Sequence, residues 1–330
     1  MWLPLLLLAC HSAPADRPED APGLENTPSP AAPAQDFHQR QLQQLAEAHR
    51  ARDWRRMQQI LSLARSGATP EQRKGYDVYA SLMRGLRAVD EQFVLRGFTT
   101  LAGAEKREFE MDAKLELALV LEPKSGHEML LRAKGEQGAR TLITVRASIE
   151  DFRIDGTSTR FEEPIVRGLA GDVILRAGKP LQLPLQEPAV PGPEVLVRVM
   201  RFSGAMRPAG LVVDGEEAMT VQLPLTPFEL RRFPKGFASV RKNPSLILSN
   251  ALVDPRRYLG HIFVASWFLS ESGSEVQQSK AIGQLIEVLR VGAPDTHRCV
   301  LACLARLAGE QAPKARDREA WLSWWALRQR

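Results

Sequence analysis

Cysteine is scarce in this chain: three in 330 residues, at positions 10, 299 and 303. That excludes the disulfide-dense scaffolds of small secreted domains. Tyrosine also numbers three, and aromatic residues make up only 6% of the sequence. Lysine is short as well, with 10 against 34 Arg, and the Arg alternate with acids, as in Arg316-Asp317-Arg318-Glu319, without forming a long block of like charge. The net charge of +5 therefore reads as a solvated surface, and nucleic acid is not expected as a partner. No apolar run approaches the about 20 residues that a membrane-spanning helix needs.

The signatures of common chemistries are missing too. There is no Gly-x-Ser-x-Gly, no His-Glu-x-x-His and no Cys-x-x-Cys, the motifs of a nucleophile elbow, a zinc peptidase and a thiol redox pair. Between Gly171 and Pro180 the spacing of Gly171 and Gly178 is wrong for a phosphate loop. Pro180 stands after Lys179, where such a loop needs a Ser or Thr to hold Mg²⁺; a lysine in a β-turn is the expectation. The six His (His11, His38, His49, His127, His261 and His297) lie at least eleven residues apart, which excludes a zinc site of local spacing. Cys299 and Cys303 fall on one face of a predicted helix with Val300, Leu304 and Leu307, as small core residues. His297 precedes them off that face, so no metal is expected. No cofactor is implied.

What the sequence does contain begins at its first residues. Leu7-Leu8-Ala9-Cys10 resembles the lipobox of bacterial lipoproteins. The resemblance implies cleavage before Cys10, lipid attachment to its thiol, and a place in the bacterial cell envelope on the periplasmic side. His11 rather than Asp follows, which in that family goes with the outer membrane. Residues 11–35 are rich in Pro and Ala with no aromatic from Ser12 to Gln35, a composition that cannot offset its ordering entropy and suits an extended tether.

The folded part reads as multidomain α+β. Residues 36–91 show helical periodicity, with Asp53 a predicted N-cap, Gly67 the expected close of that helix, and Thr69-Pro70 a second helix start. The two hairpins resemble a tetratricopeptide-like unit. Across 92–230 the period becomes two: Leu115 to Leu121, Ile143 to Ile149 and Val195 to Val199 alternate, with Asp155-Gly156 and Asp214-Gly215 as hairpin turns. A β-sandwich with one buried face per strand is expected. The acids Glu150, Asp151, Asp155, Glu162 and Glu163 around the first turn alternate with Arg153 and Arg160, and read as a solvated face rather than a Ca²⁺ site or a glycosidase pair.

Residues 231–330 return to helix at Asp254-Pro255, with a capping box at Ser274 to Gln277, a third helix from Pro294 to Gly309 and a fourth from Asp317. Four helices in pairs, ending in Ala320-Trp-Leu-Ser-Trp-Trp325, resemble the closing repeat of exported HEAT-like proteins. A terminal helix must cover the one before it. That predicts Trp321 and Trp325 packed inward and Trp324 the most exposed, a candidate interaction surface.

The reading is of a lipid-anchored envelope protein, a non-catalytic binding or scaffolding module whose partner is another envelope protein. A carbohydrate- or peptidoglycan-binding sandwich is the alternative, weakened because Phe152, Phe161 and Phe202 are the only aromatics between residues 110 and 225, too few for sugar stacking. An enzyme with a site assembled between domains is the third possibility; a pocket joining His127 or His261 to two of the named carboxylates would support it.

Overall fold

Local capping signals set the first three helices. Asp53 accepts the Arg56 N–H at 3.0 Å and starts α2 (Trp54–Ala64) after α1 (Phe37–Arg50). Thr69 and Gln72 exchange side-chain and backbone hydrogen bonds to start α3 (Pro70–Arg87), with Pro70 in the first turn, where its missing N–H costs nothing. These helices bury Leu45, Met57, Leu61, Tyr76 and Leu86 against one another. In this computed structural model the described residues are 37–99, 107–124, 126–135, 138–315 and 317–329. The chain is α+β; Cys10 and the tether lie outside the described residues.

A π-turn at Ala88–Gln92 leads into the strands. In chain order these are β1 (Phe93–Thr99), β2 (Glu108–Glu110), β3 (Leu117–Pro123), β4 (Met129–Arg132), β5 (Leu142–Arg153), β6 (Ser158–Gly168), β7 (Val173–Leu175), β8 (Leu181–Pro184), β9 (Val195–Arg207), β10 (Gly210–Val213), β11 (Glu216–Ala218), β12 (Leu223–Pro224) and β13 (Phe228–Phe233). They form three sheets of order β1-β3-β8, β11-β10-β4-β7 and β2-β13-β9-β5-β6, with β12 on β9. The β2–β13 ladder is parallel and the other ladders between these strands are antiparallel. Leu95, Leu119, Leu131, Val145, Phe202 and Leu211, drawn from all three sheets, share one core.

Alternation holds along β5, where Ile143, Val145, Ala147 and Ile149 point inward. It fails along β9, where Val195 to Met200 are all buried. Here the sheet has a core on each side: Met200 and Phe202 face the sheet core, whereas Val197 and Val199 join a second core with the C-terminal helices. The expectation of one buried face is corrected at this strand because helices cover the other. β13 likewise runs across the 230/231 boundary to Phe233, whose ring stacks on Phe237 with centroids 5.0 Å apart.

Helix returns earlier than periodicity suggests. Among the described residues six helices follow the strands, not four: α4 (Phe237–Lys242), α5 (Pro244–Ala251), α6 (Leu259–Ser272), α7 (Glu275–Val291), α8 (Pro294–Ala308) and α9 (Arg318–Arg328). The first two are too short for a clear period, and Pro244 divides them. Asp254-Pro255 is a turn rather than a helix start; Asp254 accepts the Arg257 N–H at 3.4 Å and α6 begins at Leu259. α6 is buried without a break from Ile262 to Leu269 because it lies between β9 on one side and α4, α5 and α8 on the others. The capping box at Ser274 and the Asp317 cap on Ala320 N–H are present, and Gly309 ends α8 at φ 55°.

Candidate functional site

One rung of the six-stranded sheet carries most of its buried charge. Register places Phe109, Arg232, Arg198 and Asp151 side by side across β2, β13, β9 and β5, and Arg232, Arg198 and Asp151 are all buried. Arg198 donates to Asp151 through Nε at 2.6 Å and Nη2 at 2.7 Å, a two-pronged pair, and a third bond goes to the Ala189 carbonyl. Arg232 pairs with Glu187 and donates to the carbonyls of Met111 at 2.6 Å and Ala113 at 2.9 Å. Burial pushes the Arg232 guanidinium below its usual range, with Asp112 pulling it back up. Since Glu187 and Ala189 belong to the β8–β9 connection, the two arginines strap that proline-rich segment over the end of the sheet.

Sequence reading put Asp151 on a solvated face. That is corrected: it has the parity of Ile149 and Ile143 and lies at the end of the inward stripe. A signal was present, because Arg198 shares the parity of Met200 and Phe202, and Arg232 that of Leu230. A charge on a core parity demands a buried partner. The other acids are exposed or half-buried: Asp155 holds Thr157, Glu162 is 3.6 Å from Arg146, and Glu150 is 3.5 Å from Arg201.

On the outer face of the same sheet, Glu150, Arg201, Glu229, Arg231 and Glu271 of α6 form a chain of ion pairs, with 2.8 Å from Arg201 to Glu229 and 2.6 Å from Arg231 to Glu271. Beyond it the C-terminal helices meet the β5–β6 hairpin. Gly156 at the hairpin tip, φ +79°, approaches α8 so closely that a Cβ there would lie 2.4 Å from the Arg298 carbonyl. Between this hairpin and α8 runs a groove of about 580 Å³, lined by Phe152, Ser158, Arg298, Leu301, Ala305 and Arg306 among others.

The Arg306 guanidinium sits over Trp267, its Cζ 3.2 Å from the ring centroid, with Phe152 at 5.1 Å. Burial lowers its guanidinium to about 10, with Glu271 opposing. It remains charged at neutral pH. Among the described residues neither Arg298 nor Arg306 has a hydrogen-bonded or ion-paired side-chain partner, unlike Arg198 and Arg232 on the core rung. Sequence reading missed both, because an arginine on a helix surface carries no parity signal.

The remaining candidates are dispersed. His127 Nδ1 lies 2.7 Å from Asp214 Oδ2 at the β10–β11 turn, where Asp214 and Gly215 adopt φ 52° and 81°. His261 borders an apolar pocket of about 250 Å³ with Leu196, Phe237 and Val264. Neither histidine meets two of the named acids. Lys179 closes a turn on Arg176 at 3.0 Å, with Gly178 at φ +75°. Cys299 and Cys303 are buried in the helical core as free thiols, and the Cys303 neighbour and burial push the Cys299 thiol up. His297 instead contacts the Gly292 carbonyl at 3.2 Å. Among the described residues no cluster of three or more His, Cys, Asp or Glu could hold a metal ion, and no helix is long and apolar enough to cross a membrane.

Trp321 is fully buried and meets Trp324 edge-on at 5.0 Å. Trp324 and Trp325 are both half-buried, so Trp325 is less deeply packed than Trp321. Trp325 lies against Gly283 of α7, 3.1 Å from where a Cβ would stand, while Arg328 covers the Trp324 ring at 4.4 Å. Trp324 is thus a partly covered surface rather than an open one.

No family model matches the chain, and no curated protein matches it. A solved structure described as pT26-6p matches with 8% identity and a TM-score of 0.22, over 72% of this chain and 48% of that one. The chain spans about half the length of that structure, and a likeness this slight carries no argument about fold or function.

Proposed function

We propose that this is a lipid-anchored protein of the bacterial cell envelope, on the periplasmic side, that binds or scaffolds another envelope protein and performs no catalysis of its own. The anchor reading rests on Leu7 to Cys10 followed by the Pro/Ala tether. In this reading 36–91 is a tetratricopeptide-like helical unit, 92–230 a sandwich-like β unit and 231–330 a HEAT-like helical unit. The observation that carries the binding role is the groove between the β5–β6 hairpin and α8, where two guanidinium groups with no ion pair or side-chain hydrogen bond among the described residues flank small and apolar side chains. Unpaired charge beside apolar surface is what a ligand, not a fold, completes.

The test is made in a bacterial host with the full chain. Cys10→Ala should prevent lipid attachment, change the mass accordingly and release the protein from the membrane fraction, since stable anchoring takes more than one acyl chain. Crosslinking in intact cells should join the wild-type chain to a defined envelope protein. Unchanged fractionation and mass after Cys10→Ala would overturn the anchor; absence of any reproducible crosslinked protein would overturn the scaffold.

A further inference from the structure

The groove beside α8 has a shape that restricts what can fill it. Arg298, Ala302 and Ala305 follow one another at helical spacing, with Leu301 and Arg306 beside them and Gly309 just past the helix end, so one stripe of α8 forms the floor. Arg298 and Arg306 stand eight residues apart, about 12 Å along a helix rising about 1.5 Å per residue. Small side chains lie between them, and Phe152, Gly156 and Ser158 of the hairpin with Phe263 of α6 form the facing wall.

Arg298 is exposed and Arg306 half-buried, and neither donates a side-chain hydrogen bond among the described residues. Contact with Trp267 at 3.2 Å holds the Arg306 guanidinium over the indole, and a cation held in place in this way is preorganised to receive an anion. The nearby acids are already engaged: Asp155 with Thr157, Glu150 with Arg201, and Glu271 with Arg231 at 2.6 Å. Asp155 attracts Arg298, and Glu271 and Glu150 attract Arg306, but none of these acids forms an ion pair or hydrogen bond with either arginine among the described residues, on a chain whose net charge is +5.

An extended peptide advances about 3.3 Å per residue, and its residues i, i+2 and i+4 share a face. Carboxylates at i and i+4 are therefore about 13 Å apart and point the same way, with residue i+2 between them. We propose that this groove binds an extended acidic peptide segment, one carboxylate on Arg298 and another four residues along on Arg306, with a small apolar side chain resting on Leu301 and Ala305. Recognition of acidic segments by paired arginines is a general mode. The proposal deepens the binding-module reading by naming the partner's chemistry, and its test separates the two.

Fluorescein-labelled, C-terminally amidated Glu-Ala-Val-Ala-Glu is titrated against the full chain and followed by fluorescence anisotropy at physiological ionic strength. Binding should be saturable. Gln-Ala-Val-Ala-Gln and Glu-Ala-Glu-Ala-Val should bind at least about tenfold more weakly, the scale of one lost charge-assisted bond. Arg298→Gln, on an exposed position, should weaken the first peptide by a similar factor with an unchanged thermal melt, and Arg306→Lys should do so while keeping the charge. Equal binding of the two acidic peptides would show only general attraction to a basic chain, and equal binding of the Gln peptide would show that the carboxylates play no part; either would overturn the proposal, as would an Arg298→Gln variant that binds like wild type. If the peptide fails while crosslinking still captures an envelope protein, the groove assignment falls and the scaffold reading stands; if the peptide binds with the stated preferences and crosslinking fails, the reverse holds.

Discussion

Arg198 and Arg232 stand directly opposite each other on neighbouring strands β9 and β13, both buried. Like charges in that position destabilise a sheet. Each is therefore matched by its own acid, Asp151 for Arg198 and Glu187 for Arg232, and the leftover donors are taken by the carbonyls of Ala189, Met111 and Ala113. The row is stable as a set and costly in part.

Asp151→Ala should accordingly destabilise the protein by about 3–5 kcal/mol, because it leaves a buried guanidinium without its counter-charge. The double variant Asp151→Val with Arg198→Met removes the pair and should recover most of that loss. Denaturant unfolding of Asp151→Val, Arg198→Met and the double measures the coupling. Strict additivity would show that the two side chains do not act as a pair.

Gly156 joins the β5–β6 hairpin to α8. Alanine there meets a left-handed backbone, φ +79°, and the Arg298 carbonyl, so Gly156→Ala should cost about 1–3 kcal/mol from strain alone and more if α8 is displaced. Gly178 has a similar φ of +75° with nothing within 4 Å of a Cβ. Gly178→Ala is the control: its cost should be the strain alone, and hydrogen exchange along α8 should rise only in the Gly156 variant.

Local signals were legible in the sequence where local chemistry decides the outcome. Asp53, Thr69, Ser274 and Asp317 cap helices, and Asp155-Gly156 and Asp214-Gly215 turn strands, because each needs only its neighbours three or four residues away. The sheets were not legible, since β3 pairs with β8 and β2 with β13 across long separations that no local pattern encodes. Nor was the second core: alternation in Val195 to Val199 reports one buried face, and nothing within the strand announces that α6 covers the other. The groove arginines were invisible for the opposite reason, being ordinary surface residues until the hairpin is brought against α8.

Acid should weaken the turns before the cores. The Thr157 hydroxyl at 2.6 Å and its N–H at 2.9 Å hold the Asp155 carboxyl below the usual carboxylate range, helped by Arg153 and Arg298. At Asp214 burial pushes the other way, but the Glu128 N–H and His127 outweigh it and the net shift is again downward. A carboxyl with a lowered native pKa contributes stability above its unfolded value and loses it as pH falls through the native value. Stability should thus decline below the ordinary carboxylate range. Thr157→Val should move the Asp155 titration, followed by carboxyl ¹³C NMR, upward; an unmoved titration would show that the hydroxyl bond does not set it.

The Trp-rich helix α9 separates a structural residue from a surface one. Trp321 is fully buried among α7 and α8 residues such as Leu285, Leu289 and Leu304, so truncation leaves a large cavity under the terminal helix; Trp321→Ala should cost about 3–5 kcal/mol. Its indole N–H is buried with no hydrogen-bond partner among the described residues, so the apolar ring does the stabilising and Trp321→Phe should recover much of the loss. Trp324 is half-buried at the edge of that core, with Arg328 over its ring at 4.4 Å, so Trp324→Ala should cost less, about 1 kcal/mol. Hydrogen exchange in α8 and α9 reads both effects, collapsing for Trp321→Ala and little changed for Trp324→Ala. Equal protection in the two alanine variants would mean that α9 does not cap the helical unit and that its tryptophans serve the surface instead.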